Sequence, residues 1–310
     1  LDAVWSDDFH HQLRRRLAGD TDGYFADFTG ASTDIASTIR HGWFYQGQFA
    51  EYFGRTRGSD PFGLPRKRFV FFIQNHDQVG NRALGERLHH GLSPASYRAA
   101  STLLLTLPET PLVFMGQEWG ATCPFLYFTD HHDTLGEAVR RGRQAEFARF
   151  RTFGDPAACS QIPDPQAFET FAASRLDWTE RERGPHRAIL ALYRRLLELR
   201  RYEPALAAGD DAGFAVFAWS EDVLLVRRGG SGLLAPTLLV VVRLAGQGRV
   251  DLSEHSAGRL ESSRHWQAVL STGDEPFAGG GRTIAVDPRG PVAEFSEPGA
   301  VLFRAAEGRD

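Results

Sequence analysis

Phe69-Val70-Phe71-Phe72-Ile73 is an unbroken apolar run of β-forming residues, the pattern of a strand covered on both faces in a parallel α/β sheet. Ser93 as N-cap and Pro94 at the first helical position then open a helix over Ala95 to Leu107, which Pro108 stops. Leu112-Val113-Phe114-Met115 reads as a second buried strand, so strand, helix and strand make a βαβ unit. Residues 122–184, punctuated by Pro and Gly and dotted with aromatics, predict loop and short helix, an excursion long enough to be functional. Ile189, Leu192, Tyr193, Leu196 and Leu199 recur at helical spacing with Pro204 beyond, which predicts a packed amphipathic helix. From about residue 207 the pattern changes to short β segments divided by Gly, Ser and Asp, at 214–219, 223–228, 237–244, 266–271, 283–286 and 300–304. That is an all-β domain, and no internal repeat interrupts it.

Composition narrows the classes. With 310 residues, 42% hydrophobic and 24% charged, the chain has material for a large core and for two domains. A net charge of −4 carries no electrostatic footprint for nucleic acid or an anionic membrane. Lys67 is the only lysine, and the arginines, scattered singly or in runs such as Arg14-Arg15-Arg16, are expected on solvated faces. Two cysteines, Cys123 and Cys159, are too few for a disulfide scaffold and lack metal-ligand spacing, so a reducing compartment, the cytoplasm, is expected. No apolar stretch approaches the roughly 20 residues of a membrane span. The start, Leu1-Asp2-Ala3-Val4-Trp5-Ser6-Asp7-Asp8, has no signal-peptide pattern. Met115 is the only methionine, so the sequence is expected to be part of a longer chain.

The candidate chemistry clusters where strands end. Gln74-Asn75-His76-Asp77-Gln78-Val79-Gly80-Asn81-Arg82 follows the first strand, and Gly116-Gln117-Glu118-Trp119-Gly120 follows the second. In a (β/α)8 barrel such positions converge on one functional face. Carboxylates beside aromatic platforms suit carbohydrate chemistry, because acids supply protons and offset oxocarbenium charge while rings stack on sugar faces. Phe125, Tyr127, Phe128 and Asp130 add to that set. The competing account is structural: Asp77 and His76 capping a turn, Glu118 paired with an arginine, Asp7 and Asp8 in loop salt bridges, Trp5 and Phe125 in core packing. The pairs His10-His11, His89-His90 and His131-His132 are adjacent in sequence and should diverge, so no metal site is expected. No phosphate-binding loop or Gly-x-Ser-x-Gly elbow is present.

Asn75-His76-Asp77-Gln78-Val79-Gly80-Asn81-Arg82, followed by Leu84-Gly85-Glu86-Arg87-Leu88, resembles the α-amylase superfamily of glycoside hydrolases, and within it the maltooligosyltrehalose trehalohydrolase family. Trp5-Ser6-Asp7-Asp8-Phe9-His10-His11, Gly47-Gln48-Phe49, Phe114-Met115-Gly116-Gln117-Glu118-Trp119, Pro124-Phe125, Phe128-Thr129-Asp130-His131 and Pro163-Asp164-Pro165-Gln166 agree in family order. The resemblance implies an α/β fold: residues 1–206 as the C-terminal part, about strands six to eight, of a (β/α)8 barrel, and 207–310 as an antiparallel C-terminal β-sandwich. It implies retaining hydrolysis of the α-1,4-glucosidic bond next to the terminal trehalose unit of maltooligosyltrehalose, with water as second substrate and no organic cofactor or metal.

By the same resemblance, Asp77 is the transition-state stabiliser, His76 and Asn75 are sugar ligands, and Trp5, Asp7, Asp8, Tyr45, Glu118, Trp119 and Phe125 are subsite residues. Retaining hydrolysis needs two further carboxyls about 5 Å apart. Asp2, in Leu1-Asp2-Ala3-Val4, imitates the family's nucleophile context, but the segment after it resembles the sixth strand; Glu51, in Phe49-Ala50-Glu51-Tyr52, lacks the acid's context. Nucleophile and acid are therefore expected outside these residues, and the isolated chain is expected to be inactive. The alternatives are another α-glucan enzyme, such as a branching enzyme or amylase, or a sugar-binding remnant without catalysis.

Overall fold

The computed structural model describes residues 2–147, 160–207, 213–229, 235–252, 265–279, 283–287 and 290–306. Cys159 lies outside them. The N-terminal part runs β1 (Val4–Trp5), α1 (Asp7–Ala18), α2 (Ser32–His41), β2 (Gln46–Ala50), β3 (Arg55–Gly58), β4 (Phe69–Phe71), α3 (His76–Gly80), α4 (Pro94–Thr106), β5 (Thr110–Pro111), α5 (Asp133–Phe147), α6 (Phe168–Ala173) and α7 (Gly184–Tyr202). The remainder is β6 (Ala215–Ser220), β7 (Val223–Gly229), β8 (Thr237–Arg243), β9 (Gly248–Asp251), β10 (His265–Ser271), β11 (Ile284–Val286), β12 (Val292–Phe295) and β13 (Gly299–Ala306).

β1, β4 and β5 form a parallel sheet in that order, with Val4 opposite Phe69 and Val70 opposite Thr110. Two further bonds, from the Ser6 amide to the Val70 carbonyl (3.0 Å) and from Leu112 to Phe71 (2.8 Å), carry the pairing to the strand ends. Phe69 and Phe71 are buried, as the apolar run requires. The run does not stay in strand, however: the pairing stops at Phe71, and Phe72 and Ile73 are buried without it. The second strand falls earlier than expected. It occupies Thr110–Pro111, whereas 112–114 are half-buried and Met115 is exposed, because β5 pairs on one side only. The intervening helix is bounded as expected: the Ser93 hydroxyl accepts from the Ser96 amide at 3.0 Å, and Pro94 opens the first turn.

The eight later strands build two antiparallel sheets, β10-β13-β8-β7-β6 and β11-β12-β9. Alternation in β7 and β8 shows how the sheets are used. Val223, Leu225, Leu239 and Val241 point to the smaller sheet, meeting Val250, Ile284 and Phe295. Their neighbours Leu224, Val226, Leu238, Val240 and Val242 join Leu103, Leu104, Leu192 and Leu196 of α4 and α7 in a single core. Every residue of β8 is accordingly buried. This core spans the junction between the α/β part and the β part.

Two further expectations are corrected. Residues 133–147 form a fifteen-residue helix where loop and short helix were expected, and its Gly136 lets Gln166 pack close. Several arginines are buried instead of solvated, because backbone carbonyls satisfy them: Arg87 binds the carbonyls of Met115 and Cys123 at 2.7 Å each, and Arg143 those of Gly80 and Arg82.

Candidate active site

In a parallel sheet all carboxyl ends lie on one side, so the segments after β1 and β4 rise together. Ser6 ends β1, and α1 starts at Asp7; Asn75 ends the turn after β4, and α3 starts at His76. The two helix starts, with the β2–β3 hairpin as a side wall, enclose an open cavity of about 580 Å³. Trp5, Asp7, Asp8, Tyr45 and Asp77 line it, as do His11, Tyr24, Arg57, Gln78 and Asn81. The hairpin is held against α1 by Asp8, which accepts the backbone amides of Phe44 (2.9 Å) and Tyr45 (3.3 Å). It closes at Gly58, whose φ of +71° and approach to Tyr45 leave no room for a side chain: a Cβ would stand 1.7 Å from the Tyr45 carbonyl oxygen. The Tyr45 hydroxyl donates to Asp27 at 3.0 Å, and the Arg57 guanidinium lies over the rings of Tyr45 (4.7 Å) and Phe53 (4.0 Å).

Asp77 is the least constrained carboxylate here. Its side chain is 56% exposed, and its ion-pair partner is His76, 3.1 Å away and equally open. His76 stands edge-on to Trp5, with ring centroids 5.7 Å apart, and Trp5 in turn meets Phe72. Asp7 accepts the Gln78 amide at 3.0 Å. Burial pushes the Asp7 carboxyl above its ordinary range against that hydrogen bond, and burial also raises Asp8 against its two backbone amides. Among the described residues, neither is held in an arginine salt bridge. Tyr45 is raised as well, by burial and then by its bond to Asp27.

The other expected ligands lie elsewhere. Asn75 is buried and caps α3, its side-chain oxygen accepting the Gln78 amide at 2.8 Å, so it does not face the cavity. Trp119 is buried against Trp178 and donates to Glu180. Phe125 packs between Phe114 and Phe128, and Glu118 makes no ion pair among the described residues. None of these four lines the cleft. Asp2 and Glu51 are exposed and are also absent from its walls.

The histidine pairs are not all divergent. His10 and His11 touch edge to face at 5.6 Å, and His89 and His90 both approach the Ala121 carbonyl, because short helical turns bring neighbouring rings to one backbone group. Among the described residues no group of three or more His, Cys, Asp or Glu side chains is placed to hold a metal ion. Nor, among them, is any helix long and apolar enough to cross a membrane.

No protein-family model matches the chain. Malto-oligosyltrehalose trehalohydrolase of Deinococcus radiodurans is 50% identical over 210 residues, covering 66% of this chain and 34% of that protein. The enzyme of the same name from Arthrobacter ramosus is 45% identical over 233 residues, 73% of this chain and 39% of that protein. A crystal structure from Salmonella typhimurium, provisionally assigned as an alpha amylase, superposes with a TM-score of 0.78 at 31% identity, over 98% of this chain and 47% of that one. The chain thus spans a little over a third of the length of the curated relatives it matches. By these likenesses it belongs to the malto-oligosyltrehalose trehalohydrolases of the α-amylase superfamily.

Proposed function

We propose that this chain is the part of a cytoplasmic trehalohydrolase that embraces the bond being cleaved, acting on maltooligosyltrehalose and water to release trehalose. Residues 1–206 belong to the catalytic barrel, with β1, β4 and β5 as its sixth to eighth strands, and residues 207–310 are its C-terminal β-sandwich. Asp77 is the transition-state stabiliser. As the glycosidic bond breaks, positive charge grows on the anomeric carbon and ring oxygen, and a carboxylate fixed nearby gains attraction that the neutral ground state does not give. His76 holds a hydroxyl of the same sugar, Trp5 offers its indole face, and Asp7, Asp8 and Tyr45 shape the adjoining subsite. The nucleophile and proton donor are assigned to no residue of this chain: Asp8 is engaged by backbone amides and Asp7 by Gln78.

One observation carries this reading: Asp77 stands open at the edge of a cavity over two parallel strand ends, with its neighbour His76 as its ion-pair partner. Trehalose release from maltooligosyltrehalose tests it. The purified 310-residue chain should release none, whereas the whole protein containing it should, and Asp77→Asn there should lower kcat/KM by about 10²–10³-fold. Release by the chain alone, or full activity in the variant, would overturn the assignment. The Salmonella typhimurium likeness favours a second reading, an α-glucan hydrolase of amylase type, and this predicts maltooligosaccharides instead of trehalose as product.

A further inference from the structure

A second cavity, of about 250 Å³, adjoins the cleft and shares two of its walls, Tyr24 and Asn81, neither of which takes part in the chemistry above. Phe25, Ala83 and Phe147 give it an apolar side, and Asp20, Thr21 and Arg82 a polar one. Asp20 pairs with Arg14 and Arg82, and Arg82 also with Glu86, so these charges are matched within the fold. Two uncharged groups on the shared wall are not. Asn81 is exposed, and its carboxamide makes no hydrogen bond among the described residues. The Tyr24 hydroxyl makes none among them either, and it is not shut off from solvent. The Tyr24 ring is held by His11, Phe25 and Tyr52, with centroids 4.8, 4.6 and 6.4 Å away. Burial raises its hydroxyl above the ordinary value, and charges from both sides reach it: Arg82 and Asp20 from the second cavity, Asp7 from the cleft. The phenol is therefore protonated and can both donate and accept.

An occupant that uses both cavities has to run past Tyr24 and Asn81. A glucan has the matching build: its rings carry apolar faces that aromatic side chains cover, and hydroxyls flank every link between rings. Phenol and carboxamide together supply donors and acceptors where such a link would pass. At about 250 Å³ the second cavity falls below the roughly 300–1,000 Å³ of sites for drug-sized ligands, a size for one further ring. In maltooligosyltrehalose both neighbours of the glucosyl unit under attack are joined to it by α-1,4 bonds, so the same link crosses the shared wall whichever neighbour is meant.

We propose that the cavity beyond Tyr24 is a second subsite, which takes the glucosyl unit adjoining the one in the cleft, and that Tyr24 and Asn81 bind the hydroxyls on either side of the α-1,4 link. The proposal rests on the reading of the cleft as a glucan site and adds the direction in which the bound glucan continues.

Calorimetric titration of the 310-residue chain with glucose and with maltose tests it, together with the NMR resonances of two reporter rings. Maltose should bind about tenfold more tightly than glucose, and Tyr24→Phe and Asn81→Ala should each remove about three- to tenfold of that difference while glucose binding stays as in the wild type. A residue that merely supports the fold would weaken both sugars alike. The Trp43 indole lines only the cleft and the Phe147 ring only the second cavity, so Trp43 should respond to either sugar and Phe147 to maltose alone, a reading that needs no variant to fold. Equal affinity for the two sugars, a Phe147 ring unmoved at saturating maltose, or the full preference for maltose in both variants would overturn the proposal. If Trp43 responds and Phe147 does not, only this inference fails. If neither sugar binds, the glucan reading of the cleft fails with it.

Discussion

The chain reaches the same side of its parallel sheet twice, at the end of β4 and at the end of β5, with similar residues and opposite results. After β4, Asp77 lines a cavity and stays open, and His76 next to it is equally exposed without lining that cavity. After β5, the amide, indole and hydroxyl groups are already matched within the protein, whereas Glu118 keeps a buried carboxylate oxygen with no hydrogen bond among the described residues. Gln117 accepts the Phe114 amide and donates to the Tyr193 hydroxyl, and its carbonyl accepts from Tyr97. Trp119 and Thr122 both bind Glu180, and the Trp119 carbonyl takes His186. Polar residues at a strand end therefore mark an open site at one rim and, for the Gln117 amide and the Trp119 indole, a locked loop at the other. What separates them is the hydrogen-bonding and charge capacity that the fold leaves unused.

That contrast can be broken from either side. Trp119→Ala should cost about 3–5 kcal/mol of stability in urea denaturation, since it empties a buried indole site and strips a donor from Glu180. Trehalose affinity of the folded fraction should be unchanged. Gly58→Ala, in the cleft wall, should cost about 1–3 kcal/mol through left-handed strain, and it should also disturb the cleft by pushing Tyr45 away.

Acidification sharpens the comparison further. His10, His11 and His89 are buried with folded pKa values depressed, the last two to about 3. The unfolded chain therefore binds protons below about pH 6.5 that the folded chain does not, and stability present above that pH is lost as pH falls. Replacing His11 by Phe should remove about 1 kcal/mol of the loss between pH 6.5 and 5.5, seen as a shallower decline of Tm. Glu109, buried and raised to about 7, acts in the opposite sense, since its contribution is lost as pH rises from the carboxyl's ordinary value through 7. The smallest effect belongs to the most exposed carboxylate: Asp77→Asn should leave stability within about 0.5 kcal/mol of wild type, its pair with His76 being open to solvent.

Much of the scaffold was legible because its signals are local. Ser93 and Pro94 mark a helix start from neighbouring residues alone, and the apolar spacing from Ile189 to Leu199 marks a buried stripe. The β2–β3 hairpin was not legible. Gln46-Gly47-Gln48-Phe49-Ala50 and Arg55-Thr56-Arg57-Gly58 have no alternation, and the pair is held by Asp8, far away in sequence. The helix at 133–147 is mostly polar with two glycines, and only Gly136, Arg143 and Phe147 are buried. The same distinction governs the cleft. Asp77 and Gln78 were visible within one motif, whereas Arg57 and Tyr24 reach the cavity from segments with no shared pattern. Asn75 and Trp119 misled because a motif gives residue type and order, not which way a side chain turns.

The five-stranded sheet is lined on one side by helices and on the other by a second sheet, and its central strand β8 is buried on both faces. Recombination with a related protein is constrained accordingly. A graft joined at the α/β-to-β junction imports one half of two interlocking surfaces, and each incoming strand has to suit a helical neighbour and a sheet neighbour together. Exchange of this segment among relatives should succeed only when α4 and α7 travel with it.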